Sequence, residues 1–213
     1  MKKINTINIP FYEFQSSKQL TEEVLADVKT KNFKLDAPEQ GNILNDYYHE
    51  KLFDFFESAV KSVKNLYYKD TLEFPIVECW VNEYKTMTRL KKHYHSNSVI
   101  CGLYYLTEHD KNYSTIFNAN NPWTHSVPAE SFTHLNIVKN NIPLSGEIIP
   151  EIGKLILFPA TLIHYMNTIS PKDKVLRYTI AFNTFPDGVV SDYITNKLHL
   201  KSVSLKEKLG INL

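Results

Sequence analysis

Three histidines have the spacing and the neighbours that a metal site requires. His93 and His95 flank Tyr94, just before the apolar run VICGLYYL, and His164 follows the apolar run KLILF. In an extended chain, side chains two residues apart point to the same side, so His93 and His95 could bind one metal ion. A single His-x-His pair is a weak signal, and a histidine among apolar residues such as His164 is more often a core residue. The three are therefore candidate ligands.

An arginine stands inside an otherwise apolar strand-like run. The chain has 24 basic residues, of which only Arg89 and Arg177 are arginines, and Arg177 lies in VLRYTIAFN. Burying a guanidinium group is costly unless a charged partner compensates. Thr179 faces the same side of the strand, and an arginine with a hydroxyl group is well suited to bind a carboxylate. An ion pair between Arg177 and an acid of this chain is the alternative.

The elements that must position these residues fall into two groups. Residues 20–31 and 47–68 have the apolar spacing of amphipathic helices, with Thr21 as the predicted N-cap of the first. From residue 74 the periodicity changes to two, which predicts strands. The predicted strands are 76–84, 99–106, 114–117, 134–139, 154–158, 162–168 and 175–185. This pattern predicts a mainly β protein with N-terminal helices.

We expect one domain over residues 1–213. It would consist of a helical N-terminal buttress at 1–70, a β core at 74–186 and a C-terminal tail at 187–213 with a helix near 203–209. Asn82 and Tyr84 lie on the strand before His93 and could line a pocket, although ordinary packing or strand-edge polarity is the more common reason for such residues.

Composition excludes several classes of protein. The net charge of +1 argues against a nucleic-acid or membrane-surface protein that depends on a basic excess. The sequence has no apolar run of about 20 residues, and the N-terminus lacks the apolar segment of a signal peptide. Six glycines form neither a GxGxxG motif nor a P-loop. Cys79 and Cys101 are expected to be buried thiols in a reducing cytoplasm.

The order of these motifs resembles that of the 2-oxoglutarate- and Fe(II)-dependent oxygenases, and in particular a bacterial and phage branch with an H-x-H motif. The resemblance covers about residues 76–185. The matching blocks are Trp80-Val-Asn82, His93-Tyr-His95, Cys101-Gly-Leu-Tyr-Tyr-Leu106, Gly153 through Phe158-Pro159 to His164, and Arg177-Tyr-Thr179 through Phe182-Asn183. Cys101 stands where serine is usual in that branch.

The resemblance implies a double-stranded β-helix, also called a jelly roll or cupin-like fold, with Fe(II) bound at its open end. His93 and His164 would be iron ligands. His95 occupies the position of the carboxylate in the wider superfamily, so it is expected to be a third ligand, with a supporting role or a degraded site as alternatives. Arg177 and Thr179 would bind the distal carboxylate of 2-oxoglutarate, and Asn82 and Tyr84 would line its pocket.

The implied activity is oxidation of a C–H bond, most simply a hydroxylation, coupled to decarboxylation of 2-oxoglutarate by O2. Its primary substrate is open: a small molecule or a protein side chain is favoured over duplex DNA, given the charge. Two rival interpretations are a cupin-like three-histidine metalloprotein without 2-oxoglutarate and a non-catalytic jelly-roll binding module. Trp123 and His125, in a loop between strands, are further candidates for substrate contact or for ordinary surface positions.

Overall fold

A computed structural model describes residues 2–7, 9–37, 41–85, 88–107, 114–118, 145–166, 176–189 and 199–211. Its helices are α1 (Lys18–Lys29), α2 (Glu50–Tyr67) and α3 (Leu205–Lys208). The helices predicted at 20–31, 47–68 and near 203–209 are confirmed, with small shifts at the ends. The helix α1 begins two residues before the predicted start at residue 20, because Ser17, and not Thr21, caps it: the Ser17 Oγ accepts a hydrogen bond from the Leu20 amide.

The strands of the described ranges form three antiparallel sheets. The largest has eight strands, in the spatial order β1 (Lys2–Ile7), β2 (Ile9–Gln15), β11 (Lys154–Pro159), β8 (Ile100–Tyr105), β13 (Arg177–Thr184), β6 (Ile76–Tyr84), β4 (Gly41–Asn45) and β3 (Lys34–Ala37). The second has four, in the order β10 (Ser145–Ile148), β9 (Thr115–Asn118), β12 (Ile163–Met166) and β7 (Leu90–His93). A small third sheet contains β15 (His199–Leu200), β14 (Asp187–Val189) and β5 (Leu72–Glu73).

The eight-stranded sheet has two different faces because side chains alternate along each strand. On one face, Phe182 of β13 and Tyr104 of β8 pack against Phe56 of α2, with ring centroids 4.6 and 5.5 Å from it. These rings belong to a large apolar cluster that also includes Val24 and Val28 of α1. The helices therefore cover one face and leave the other to the four-stranded sheet.

A second apolar cluster lies between the two larger sheets. Phe117 of β9 packs edge-on against Phe11 and Phe158, with centroids 4.8 and 5.0 Å away, and Tyr105 and Ile156 belong to the same cluster. This arrangement is a β-sandwich with helices on one outer face, consistent with the predicted mainly β protein with N-terminal helices.

The strand predictions are confirmed where the structure describes them, whereas the predicted strand 134–139 lies outside the described residues. The segment 1–70, predicted as a helical buttress, contains strands as well as α1 and α2. Strands β1 to β4 also lie there, and they extend both edges of the large sheet. Pairing with β11 and β6 decides their structure, since their own sequences show little alternation. The division of the chain into one domain with three parts stays a prediction.

None of the helices in the described ranges is both long enough and apolar enough to cross a membrane.

A test of the helix-covered face is the substitution Gly102→Ala in β8. Gly102 is paired with Phe182, and a Cβ atom there would overlap the Phe182 ring, which is fully buried. We expect the free energy of unfolding to fall by about 3 kcal/mol, the upper end of typical overpacking costs. Urea denaturation measures it.

The control is Gly210→Ala, because a Cβ atom there meets nothing within 4 Å. Its φ of +68° adds only backbone strain, at a cost of about 1 kcal/mol. Equal losses in the two variants would contradict the proposed packing.

Candidate active site

The three candidate histidines converge between the two larger sheets. His93 ends β7 and is the direct cross-strand partner of His164 in β12. His95 lies just beyond β7, where its backbone amide donates to the Ala160 carbonyl over 2.9 Å. One nitrogen of each ring lies within 4.8 Å of the corresponding nitrogens of the other two. The arrangement can hold one metal ion.

Hydrogen bonds fix which ring nitrogen of two histidines is available to a metal. The Nδ1 atom of His93 lies 2.8 Å from the Lys91 carbonyl, and the Nδ1 atom of His164 lies 3.0 Å from the Leu162 carbonyl. A carbonyl oxygen only accepts hydrogen bonds, so each Nδ1 must bear the proton. In the neutral ring, Nε2 then has the lone pair, which is the form that binds metal ions.

Burial keeps two of these rings neutral. It lowers the pKa of His164 to about 3 and the pKa of His95 to about 4, and the nearby His93 contributes to both shifts. The hydrogen bond of His164 to the Leu162 carbonyl opposes the shift in the pKa of His164. At neutral pH both rings are therefore unprotonated and ready to act as ligands.

Arg177 lies on the same side of the large sheet as the histidines and lines the same pocket. It is 1% exposed, and its guanidinium carbon lies 5.6 Å from the centroid of the Tyr84 ring and 5.5 Å from that of Tyr105. Its Nη1 atom lies 2.9 Å from the Met166 sulfur. Burial lowers the guanidinium pKa, and the two tyrosines oppose this shift. A buried cation between two aromatic faces is suited to bind an anion.

Thr179 and Asn82 extend the polar part of the pocket. They are direct cross-strand partners on β13 and β6, and the Asn82 Nδ2 atom donates to the Thr179 hydroxyl over 3.3 Å. The Thr179 side chain is 1% exposed. The seven residues predicted to bind the metal or 2-oxoglutarate or to line its pocket therefore share one pocket, namely Asn82, Tyr84, His93, His95, His164, Arg177 and Thr179.

The enclosed volume of this pocket is about 50 Å³. That volume accommodates a metal ion with its water, but it is well below the roughly 300–1,000 Å³ typical of sites that hold larger molecules. The Met166 side chain, in contact with Arg177, occupies part of the space. A larger ligand would therefore have to displace it.

Sequence reasoning missed several residues that contact the histidines. Trp80 stacks on His95 with centroids 5.8 Å apart. Trp80 appeared in the sequence only as part of a motif, because its contact with His95 depends on strand register. Met166 gave no sequence signal of a place beside Arg177. Trp123 and His125 lie outside the described residues.

A family comparison identifies this arrangement. Residues 78–183, which include every residue of the pocket named so far, match the family model described as "Putative 2OG-Fe(II) oxygenase". The chain therefore contains a domain of the 2-oxoglutarate- and Fe(II)-dependent oxygenases over residues 78–183. It is therefore an oxidoreductase of the 2-oxoglutarate-dependent class, and its cofactors are Fe(II) and 2-oxoglutarate. A comparison with curated proteins gives no match.

Solved structures confirm the fold of this oxygenase. HygX from Streptomyces hygroscopicus, with nickel and 2-oxoglutarate bound, is similar with a TM-score of 0.62 at 11% identity, covering 96% of this chain and 95% of HygX. The epimerase SnoN from nogalamycin biosynthesis has a TM-score of 0.62 at 8% identity, covering 91% and 89%. A Pseudomonas putida prolyl-4-hydroxylase has a TM-score of 0.57 at 10% identity, covering 81% and 91%. These likenesses confirm the predicted double-stranded β-helix.

The neutrality of the buried rings predicts a pH dependence of stability for the metal-free oxygenase. Unfolded histidine ionises near pH 6.5, so between that pH and about 4 the unfolded chain binds more protons than the native one. The free energy of unfolding should therefore decrease as the pH falls through this window, and for His164 down to about pH 3. Urea denaturation in the presence of a chelator measures this decrease.

The comparison variant is the double substitution His95→Gln and His164→Gln, because glutamine does not titrate. Its loss of stability on acidification should be smaller than that of the wild type. Parallel pH profiles would show that the two rings are not held neutral.

Proposed function

We propose that His93, His95 and His164 bind Fe(II) and that the enzyme hydroxylates a C–H bond of its substrate. The observation that supports this proposal is the convergence of the three imidazoles within 4.8 Å of one another. The overall reaction consumes 2-oxoglutarate, O2 and R–H and yields succinate, CO2 and R–OH. One oxygen atom enters the succinate and the other the alcohol, so atoms and electrons balance.

His95 would complete a facial set of three histidines in place of two histidines and a carboxylate. Three neutral ligands leave the full charge of a divalent ion uncompensated, one unit more than the carboxylate-containing set. An anionic ligand should then bind more favourably at the metal. 2-Oxoglutarate, a dianion, is such a ligand.

Arg177 and Thr179 would bind the distal carboxylate of 2-oxoglutarate. Both are almost fully buried and line the pocket that the histidines share. The guanidinium fork can donate two hydrogen bonds to a carboxylate, and a threonine hydroxyl can donate a third. Tyr84 holds the guanidinium by its ring face, and Asn82 holds the Thr179 hydroxyl in place.

Binding of 2-oxoglutarate would require movement within the small enclosed pocket. The Met166 side chain is flexible and makes only a weak contact with the guanidinium, so it is the part most easily displaced. The Arg177 guanidinium would then bind the carboxylate of 2-oxoglutarate in place of the Met166 sulfur, and a carboxylate is the stronger hydrogen-bond acceptor.

Bound Fe(II) with its cosubstrate supplies the oxidising power of the reaction. The residues of this chain orient the ligands and exclude water. The hydrogen bonds of His93 and His164 to the Lys91 and Leu162 carbonyls hold their rings in the metal-binding tautomer. Phe117 and Phe158 pack against the His164 ring, with centroids 5.8 and 5.0 Å away, and shield that side from solvent.

We further propose a small molecule or a protein side chain as the primary substrate. HygX, which shares the fold, has been solved with hygromycin B bound, and another structure of this fold is a prolyl-4-hydroxylase. A cytoplasmic location is also proposed, supported by the two buried free thiols of Cys79 and Cys101.

An anaerobic titration tests the metal and cosubstrate together. Fe(II) alone should bind without visible colour, and addition of 2-oxoglutarate should produce a metal-to-ligand charge-transfer band. His93→Ala and His164→Ala should abolish the band, because each removes an iron ligand. His199→Ala is the matched control, since its side chain is exposed on β15 and should leave the band unchanged.

Each alternative outcome has a distinct meaning. Iron binding without a band would favour a three-histidine metalloprotein that does not use 2-oxoglutarate. Absence of iron binding would favour a non-catalytic jelly-roll module.

Arg177→Ala tests the carboxylate site. The concentration of 2-oxoglutarate required for half-maximal band intensity should rise about a hundredfold, since a buried charged hydrogen-bonding partner is lost. Fe(II) affinity should stay within a few-fold of wild type, which also shows that the variant is folded. Arg89→Ala, at the other arginine of the chain, is exposed and should change neither quantity. An unchanged 2-oxoglutarate requirement in Arg177→Ala would refute the assignment.

A further inference from the structure

The pocket-facing side of β6 continues beyond the metal site. The side chains of Tyr84, Trp80 and Glu78 lie on the same face of this strand, and the first two line the pocket of the histidines. Trp80 stacks on the His95 ring at an interplanar angle of 18°, so the metal site lies at the level of Trp80. Glu78 is two residues, or about 7 Å, further along the strand. It therefore lies on the opposite side of the metal site from Tyr84, the cross-strand partner of Arg177.

Cross-strand contacts fix the direction of the Glu78 side chain. Glu78 is paired with Asn183 of β13, and its carboxylate accepts a hydrogen bond from the Asn183 Nδ2 atom over 2.8 Å. The Asn183 Oδ1 atom accepts from the thiol of Cys101, which lines the histidine pocket, over 3.1 Å. Asn183 is 6% exposed, whereas Glu78 is exposed. A nearly buried amide thus holds an exposed carboxylate in place at the edge of the pocket.

A second cleft, of about 340 Å³, adjoins the histidine pocket at this end. Trp80 lines both spaces, and the other residues of the cleft are Asn45, Asp46, Glu78 and Cys79. The volume of the cleft is in the range of sites that hold small molecules, unlike that of the histidine pocket. The cleft therefore offers the space that a primary substrate needs beside the metal site.

The charge of this cleft favours a cation. Both of its charged residues, Asp46 and Glu78, are acidic. Within the described ranges, no lysine or arginine forms an ion pair with Glu78. Lys208 reaches the same end of β6, but its ammonium group donates to the Val77 carbonyl over 2.6 Å. The face of the Trp80 indole and a fixed carboxylate both attract positive charge, so together they suit an ammonium or guanidinium group.

We infer that Glu78 is a specificity-determining residue that selects a primary substrate with a protonated amine or a guanidinium group. The cation would bind the Glu78 carboxylate beside the Trp80 indole, which would place neighbouring C–H bonds of the substrate next to the metal site. Arg177 would hold the anionic cosubstrate at the other end of the same face, so the two ends of the site select opposite charges. This inference rests on the proposed function and adds the class of primary substrate to it.

The first test measures binding of a charged probe to the metal-free protein. The probes are hexamethylenediamine and hexanediol, which have the same chain length and differ in charge. The NMR signal of the Trp80 indole N–H, assigned by its loss in Trp80→Phe, reports binding beside the ring. The diamine should shift this signal saturably, and the diol should not. In Glu78→Gln the diamine concentration for half-maximal shift should rise about tenfold, because a charge-assisted hydrogen bond is lost.

The matched control is Glu73→Gln. Glu73 of β5 is also an exposed strand glutamate, with 70% of its side chain exposed, but it lines neither the histidine pocket nor the cleft. Its diamine binding should equal that of wild type, although the same charge is lost. Glu78→Asp, which keeps the charge, should recover most of the diamine binding, and urea denaturation shows that each variant is folded.

A second probe distinguishes the two sources of the cation. The same titration is made with a short peptide that contains one lysine and is acetylated and amidated at its ends. Tighter binding of the diamine would assign the cation to a small molecule, and tighter binding of the peptide would assign it to a protein side chain. Either result supports selection by charge, provided that it depends on Glu78.

The outcomes separate this inference from the proposed function. Equal shifts with diamine and diol, or unchanged diamine binding in Glu78→Gln, would overturn the role of Glu78 and leave the proposed iron site intact. An equal loss in Glu73→Gln would overturn it too, since it would reduce the effect to net charge. The titration needs no metal, so a missing charge-transfer band in wild type would refute the proposed iron and cosubstrate site independently of the diamine result.

Discussion

The alternation of side chains along β13 is the constraint on which the rest of the structure depends. Arg177 and Thr179 point into the sandwich, where they line the pocket, and Asn183 lies on the same face of the strand. The intervening Ile180 and Phe182 point to the helices and are fully buried there. Because β13 is paired on both sides, a shift of its register by one residue would turn Arg177 toward the apolar core and would turn Ile180 and Phe182 toward the pocket. The same strand pairing therefore fixes the register of β13 and places its polar side chains on the pocket side of the sheet.

The four-stranded sheet contributes the other half of the site. Cross-strand pairing of His93 with His164 places the two rings with centroids 4.2 Å apart, a distance that would be unfavourable if both were charged. Burial and the nearby His93 lower the pKa of His164. The ring therefore stays unprotonated, which is the form required for metal binding. Burial thus keeps the ring nitrogens unprotonated, so that their lone pairs are available to a divalent cation.

The two sides of the pocket have complementary electrostatic roles. The histidine side offers lone pairs to a cation, and the arginine side offers donors to an anion. A molecule that is anionic at both ends can satisfy the metal and the guanidinium together, as 2-oxoglutarate would. A third histidine ligand would increase the demand for negative charge, because it would stand in place of a carboxylate.

The sequence by itself determined the motif order, the two long helices, most of the strands around the site, and seven of the residues that line its pocket. It could do so because His-x-His, a histidine after a buried strand, and an arginine in an apolar strand are local patterns with definite chemical costs. It did not determine β1 to β4, whose structure depends on pairing with strands far along the chain.

Nor could the sequence reveal the contacts of Met166 with Arg177 or of Asn183, Cys101 and Glu78 with one another. Asn183 is separated from Glu78 by 105 residues and from Cys101 by 82, and only the register of the central strands brings them together. The sequence specified which groups could act, whereas the tertiary structure decided which groups hold them, because hydrogen bonds across a sheet depend on pairing and not on distance along the chain.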